Sequence, residues 1–205
     1  WRIELGPMVT GGPFELTVEG TNTLTLHNVA VGEVWICSGQ SNMEMAVGNS
    51  PRAWGGVLNA EQEIAAGAYP MIRQFTVKKG VAGQPQTDAE GQWVVAGPQT
   101  VGEFSATAYF FAREIHRALG APVGLIHTSW GGTPAEAWTS RLGLQADPDL
   151  RTILDDWEKQ FREYPGKLED YRRQLGDWEG AVGKAEAEGG RVSAPPKWPP
   201  DPRGN

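Results

Sequence analysis

Apolar and polar positions alternate at period two through residues 1 to 30: Trp1, Ile3 and Leu5, then Phe14, Leu16 and Val18, then Leu24 and Leu26. Gly11-Gly12-Pro13 and Gly20-Thr21-Asn22 punctuate these runs. The pattern predicts antiparallel strands with one face in water. From Val34 it changes. Val34 to Cys37 is a short continuous apolar run, as in strands buried on both faces, and Ile72 to Val77 reads as a second strand. Ser105 is placed to cap a helix whose apolar positions Ala108, Phe111, Ala112, Ile115 and Leu119 keep helical spacing, and Gly120 ends it. Val123 to Ile126 is a further buried strand, followed by a loop from His127 to Thr133 and a new helix start. Strands and helices in this order, joined by short links, predict a parallel α/β sheet.

Beyond residue 146 the period is different. Leu150, Leu154, Trp157, Phe161, Tyr164, Leu168, Tyr171, Leu175, Trp178 and Val182 are spaced alternately by four and three. That seam suits a coiled coil or an αα-hairpin. Pro165-Gly166 interrupts it, which predicts two helices or one kinked helix forming a projecting insertion. Ala194-Pro195-Pro196-Lys197-Trp198-Pro199-Pro200 reads as an extended, polyproline-like exit.

Length and composition narrow the function classes. A chain of 205 residues, 40% apolar and 21% charged, can bury a core as one large domain or two small ones. Its net charge of −7, with no Lys/Arg cluster, argues against nucleic acid as a partner. No apolar run approaches the roughly 20 residues a bilayer-spanning helix requires, so no membrane partner is expected. A lone Cys37 excludes an internal disulfide framework and a thiolate metal site, and it is expected to pack as a small hydrophobe at a strand end. Nine Trp are many for this length; most are expected in the core, with some as platforms for sugar rings. The chain opens at Trp1 and closes on Pro202-Arg203-Gly204-Asn205, which suggests a piece of something longer.

Two turns carry candidate chemistry, both at carboxyl ends of predicted parallel strands, where sites in such sheets lie. The first is Cys37-Ser38-Gly39-Gln40-Ser41-Asn42-Met43-Glu44. Ser41-Asn42-Met43-Glu44 fits the S-x-x-E capping box, so Ser41 is read either as a helix cap or as a nucleophile, with Ser38 the weaker competing hydroxyl. The second is Trp130-Gly131-Gly132-Thr133, ahead of another capping box, Thr133-Pro134-Ala135-Glu136, with Pro at the first helical position. Glycine lets an amide turn outward toward an oxyanion, although a plain tight turn fits the same residues. A serine nucleophile also needs a base. His27 lies in the antiparallel lead-in, His116 on a helix surface where a solvated role is expected, and only His127 lies near the proposed site. G-x-x-x-x-G-K, H-E-x-x-H, G-x-G-x-x-G and G-x-S-x-G are all absent.

Val31 to Glu44, VGEVWICSGQSNME, resembles the first block of the sialate O-acetylesterase family, a carbohydrate-esterase branch of the SGNH hydrolases in which Gly-Gln-Ser-Asn replaces Gly-Asp-Ser. FSATAYFFAREIHR, 104 to 117, and GLIHTSWGGTPAEAWTS, 124 to 140, look like the family's next segments. The resemblance covers about residues 1 to 142. It implies an α/β fold with an SGNH-hydrolase-like parallel sheet, part of a three-layer α/β/α arrangement incomplete in this chain, an antiparallel β lead-in (1–30), the N-terminal half of the hydrolase domain (31–142) and a helical insertion with a Pro-rich exit (143–205). It further implies Ser41 as nucleophile, with its own amide and that of Gly132, alternatively Gly131, as oxyanion donors, and Gln40, Asn42 and Trp130 as substrate contacts. No metal or organic cofactor is implied. The substrate would be an acetylated carbohydrate, sialic acid or a plant polysaccharide such as xylan or xyloglucan, and the setting periplasmic or extracellular.

Two further family blocks do not occur here: Gln-Gly-Glu-x-Asn, a third oxyanion donor, and Asp-x-x-His, the base with its orienting acid. A complementary C-terminal polypeptide is expected to bring them. The rival readings are a catalytically inactive carbohydrate-binding module and a helical interaction protein that pairs through the 150 to 182 seam.

Overall fold

A computed structural model describes residues 3–49 and 55–202; Trp1 of the expected lead-in, Trp54 and the final Arg203-Gly204-Asn205 lie outside the described residues. Contacts divide the chain into two compact units, Trp1–Thr133 and Pro134–Asn205.

The first unit opens with an antiparallel hairpin, β1 (Gly11–Glu19) against β2 (Thr23–Val31), as the period-two pattern predicts. The alternation at Ile3 and Leu5 does not become a strand, and Phe14, Leu24 and Leu26 stay exposed. Asn28 takes a left-handed conformation, which Asn tolerates better than most side chains. Its carbonyl and side-chain oxygens accept from the two terminal nitrogens of Arg73, at 2.5 and 2.8 Å, tying the hairpin to the next sheet.

That sheet is built from β3 (Glu33–Gly39), followed by α1 (Ser41–Glu44) and α2 (Ala60–Ala65), then β4 (Tyr69–Thr76), β5 (Trp93–Ala96), α3 (Ala106–Leu119) and β6 (Val123–Ser129). Its spatial order is β3-β6-β4-β5; β3, β6 and β4 run parallel, and β5 pairs antiparallel to β4. The chain therefore has the expected α/β class with a largely parallel sheet. One difference is β6, which continues to Ser129, so that His127 is a strand residue and not the start of a loop.

α3 forms where the caps predict. Ser105 Oγ accepts from the Ala108 amide at 3.2 Å, and Gly120 closes the helix at φ +65°. Ala106, Ala108, Tyr109 and Ala112 on α3 pack with Ile72, Val123 and Leu125 of the sheet and with Val47, Val101 and Phe104. Gln74 is buried beneath the helix start but paired: its Oε1 accepts from the Ser105 amide and its Nε2 donates to Thr76 Oγ1. His116 is half-buried and bonds the Ala121 carbonyl through Nδ1 at 2.7 Å, so its expected solvated role gives way to holding the turn after α3.

The other face of the sheet is open at the β3 edge and only partly exposed along β4 and β6. Val34 is 60% and Ile36 73% exposed, which corrects the expectation that Val34 to Cys37 is buried on both faces. β3 lies at the sheet edge, and only its alternate side chains face α3: Cys37 is buried, and Trp35 meets Phe111 edge-on at 5.0 Å. Nor are the tryptophans a core: among the described residues none is buried.

The second unit holds a 3-10 turn at Ala135–Trp138, α4 (Arg141–Ala146) capped by Ser140, and α5 (Pro148–Glu188) capped by Asp147. Of the two outcomes expected at Pro165-Gly166, two helices or one kinked helix, the structure has a single helix: α5 runs through with Pro165 inside it. An interior proline forfeits one backbone bond and crowds the preceding turn, a cost of about 3 kcal/mol. The seam offsets it through the tail. Trp178 Nε1 donates to the Ser193 carbonyl at 2.7 Å, Trp198 meets Tyr171 edge-on at 4.9 Å, and Trp157 Nε1 donates to the Pro202 carbonyl at 2.8 Å. The tail thus runs back along the helix as a strap. Extended chain at about 3.1 Å per residue and helix at about 1.5 Å per residue both cover roughly 30 Å between those two indole bonds. The proline-rich tail touches the seam at Trp157, Tyr171 and Trp178, while Leu150, Trp157 and Phe161 keep exposed faces.

The two faces of the sheet should respond differently to truncation. Leu125→Ala is expected to destabilise the chain by about 2–5 kcal/mol through lost burial and a cavity. Ile36→Ala on the open edge strand should change it by no more than about 0.5 kcal/mol. Urea unfolding followed by circular dichroism measures both; equal losses would mean that Ile36 is covered.

Candidate active site

Parallel pairing of β3 with β6 runs in unbroken register from Glu33↔Val123 to Gly39↔Ser129, so both strands end at the same level. The Trp130 amide donates to the Gly39 carbonyl at 3.0 Å, which brings the two candidate turns side by side. A Cβ built on Gly131 would lie 3.3 Å from Ser41 Oγ and 2.5 Å from a Glu44 carboxylate oxygen. Any side chain at 131 would therefore collide with the site, whereas Gly132, at φ +81°, faces open space.

The capping box predicted at Ser41 does not form. Ser41 is the first residue of a four-residue helix whose N-cap position is Gln40, and its hydroxyl makes one long bond, 3.4 Å, to Gln40 Oε1. Glu44 does not reach back to its own turn. Its Oε2 accepts from the Gly131 amide, and its Oε1 pairs with Lys79 Nζ. Tertiary partners thus outbid the local motif. The second capping box is also absent: Pro134 takes the N-cap position of a 3-10 turn, and Thr133 Oγ1 donates to the Trp130 carbonyl at 2.7 Å.

The other sequence-predicted residues surround this pair of turns. Gln40 Nε2 donates to the Thr133 carbonyl at 3.3 Å, bridging the serine turn to the glycine turn. Asn42 is exposed, and its carbonyl accepts from Thr107 Oγ1 on α3 at 2.9 Å. Trp130 is half-exposed, with Lys79 Nζ 5.5 Å from its ring centroid. Ser38 lies inside β3, on the face opposite Cys37. Among the described residues the Gly132 amide makes no hydrogen bond, whereas that of Gly131 is held by Glu44.

His127 is built into the core side of β6. It is buried, its Nε2 bonds Ser129 Oγ at 2.6 Å, and its Nδ1 has no hydrogen bond of acceptable geometry. Nothing joins it to the Ser41 hydroxyl, which is bonded to Gln40. Burial pushes the imidazole pKa down; the Met43 backbone and the Glu44 charge pull the other way, and Lys79 adds to the lowering. For Glu44, burial pushes the carboxyl up, but the Lys79 bond, the Gly131 amide and the charges of Lys79 and His127 together bring it below the ordinary value.

No protein-family model matches the chain. Curated relatives do. Sialate O-acetylesterase of Rattus norvegicus is 41% identical over 160 residues, covering 71% of this chain and 28% of the relative, and that of Homo sapiens is 39% identical, covering 71% and 29%. Over this stretch the chain is a homologue of the sialate O-acetylesterases. It spans less than a third of the length of these relatives. A crystal structure of a carbohydrate acetylesterase from Xanthomonas citri superimposes with a TM-score of 0.64 at 35% identity, covering 73% of this chain and 33% of that one.

Sequence reasoning for this sialate O-acetylesterase homologue missed Lys79, which stands in a loop with no motif around it. Glu44 was visible only as a capping-box partner. A signal for its other role existed, because an acidic side chain three residues past Ser41 shares a turn with the serine.

The His127 and Glu44 titrations act in the same direction on stability. The folded state lowers the His127 pKa, so its contribution is intact above the ordinary 6.5 and is lost as pH falls from there through the folded value. Glu44 is also lowered, so its contribution is intact above 4.5 and is lost below. Urea midpoints measured from pH 8 to pH 3 should fall in two stages, and His127→Gln should flatten the upper stage alone. An unchanged upper stage in that variant would mean that His127 is not buried neutral.

Proposed function

We propose that this chain is the nucleophile-bearing part of a carbohydrate O-acetylesterase. The observation that carries the reading is the placing of the Ser41 hydroxyl against the Gly131-Gly132 turn at the shared carboxyl end of two parallel strands. The sialate O-acetylesterase relatives and the carbohydrate acetylesterase neighbour support it. Ser41 Oγ attacks the acetyl carbonyl and loses its proton to a base. The tetrahedral oxyanion is met by the Ser41 amide and the open amide of Gly132, each such donor being worth about 2.7–4 kcal/mol of transition-state stabilisation. Collapse breaks the ester bond and releases the sugar hydroxyl, which takes the proton from the base. Water then hydrolyses the acetyl-serine to acetate and restores Ser41. Gln40, Asn42 and Trp130 line the approach and contact the sugar.

The base is a His, oriented by an Asp, on a complementary C-terminal polypeptide. Three observations support that assignment. His127 is committed to Ser129, the chain spans under a third of its relatives, and β3 is unpaired along one edge among the described residues. The substrate is an acetylated sugar, sialic acid or an acetylated plant polysaccharide, and a polymeric substrate would place the enzyme outside the cytoplasm.

One observation favours a sugar-binding module without catalysis: Trp157, Phe161 and Trp198 are exposed aromatic faces. A fluorophosphonate reagent separates the two readings. Labelling of Ser41 in the assembled protein supports the esterase, and sugar binding with no labelling selects the module.

The isolated chain is expected to leave p-nitrophenyl acetate unhydrolysed above background. Its complex with the complementary polypeptide should hydrolyse it, and Ser41→Ala in that complex should lose about three to six orders of magnitude. Turnover by the isolated chain, abolished by His127→Gln, would instead make His127 the base.

A further inference from the structure

Glu44 presents an electrostatic problem to any reaction at Ser41. A carboxylate one helical turn from the nucleophile lies where negative charge would develop, and it would oppose an oxyanion. Yet the structure holds it there by two bonds, to the Gly131 amide and to Lys79 Nζ, and the Lys79 ammonium also lies over the Trp130 ring. Each bond does a separate task. The first fixes the glycine turn by its leading amide, so that Gly131 faces Glu44 and the following amide, Gly132, is left open. The second cancels the charge of the carboxylate that does the fixing. His127 of β6, buried and lacking a formal charge when neutral, is the other titratable group whose field reaches Glu44.

We infer that Glu44 and Lys79 form a charge-neutral clamp that positions the Gly131-Gly132 turn, reserving the Gly132 amide for the oxyanion and keeping the carboxylate from repelling it. This rests on the esterase reading above and assigns that site two positioning residues. Neither touches the reacting atoms; both act through the turn. The geometry leaves little alternative for position 131, since a Cβ there would meet Glu44 at 2.5 Å.

The clamp makes two kinds of prediction. In the chain itself, the Gly131 amide proton is hydrogen-bonded to a titrating carboxylate. Its NMR shift should therefore follow Glu44 protonation, with a midpoint below 4.5, the ordinary glutamate value. Glu44→Gln should abolish that titration while keeping an acceptor for the amide, and Lys79→Met should move the midpoint upward. In the complete esterase, Lys79→Met leaves an unpaired carboxylate beside the oxyanion. Its kcat should fall about tenfold to a hundredfold with KM little changed, less than the roughly 10²–10³ loss typical of removing an oxyanion donor. The double variant Glu44→Gln/Lys79→Met, with no net charge at the clamp, should recover most of that loss.

A merely structural ion pair would give the double variant the same loss as the single ones, and that result would overturn the clamp. A Gly131 amide indifferent to Glu44 would overturn it as well. If the complete protein shows no Ser41-dependent hydrolysis, the esterase reading falls instead, and the NMR titration still reports separately whether Glu44 holds the turn.

Discussion

Everything proposed for this chain depends on the parallel ladder between β3 and β6, seven residues long and without a register shift. A parallel pair leaves both strands at the same edge of the sheet, pointing the same way, and the turns after them then have to share space. Here the sharing is close enough that a Cβ at position 131 would require the Glu44 carboxylate to move. A one-residue slip of β6 would turn His127 and Ser129 out of the core, because side chains alternate across a strand. Burial of Val123, Leu125, His127 and Ser129 on one face therefore fixes the register, and the register fixes the site.

The turns themselves are held by polar tethers that cross from one to the other. Trp130 donates to Gly39, Gln40 to Thr133, and Gly131 to Glu44. These bonds do what secondary structure cannot, since α1 has only four residues and β6 gives way to an irregular turn. A single 3-10 or α turn has little stability of its own; short helices draw theirs from tertiary contacts. The cost of ordering the turns is borne by α3, whose Ser105 cap and Thr107 hydroxyl anchor the serine turn from below through Met43 and Asn42.

How far the sequence was legible depends on whether a feature is local. α3 is legible because every part of its signal is local: a serine that caps, an apolar stripe at helical spacing, a glycine that ends it. β3 and β6 were legible as apolar runs, yet the same runs misled about burial, because nothing local says that Val34 and Ile36 face away from α3. The capping box at Ser41 to Glu44 failed for the opposite reason. Its local pattern is sound, but Glu44 finds a backbone amide 87 positions along the chain and an ammonium 35 along, and a motif cannot register distant competitors. In the second unit, Pro165 left two helices or one open as outcomes, and the local sequence does not choose between them; the structure has one helix, with two indole bonds and a ring contact joining the tail to it.

The position of His127 turns these facts into an argument about division of labour. A general base must be able to take a proton and keep it, which in a buried, apolar surrounding an imidazole does poorly. His127 is buried, its pKa is pushed down, and its Nε2 is already bonded to Ser129. Its neighbours across the ladder and beneath it, Cys37 and Met43, are core residues. The His127 imidazole is therefore buried and engaged within β6, while the Ser41 hydroxyl at the strand ends makes one long bond, to Gln40 Oε1. On the esterase reading proposed above, Ser41 as nucleophile and Gly132 as an open amide would therefore call for a proton acceptor other than His127.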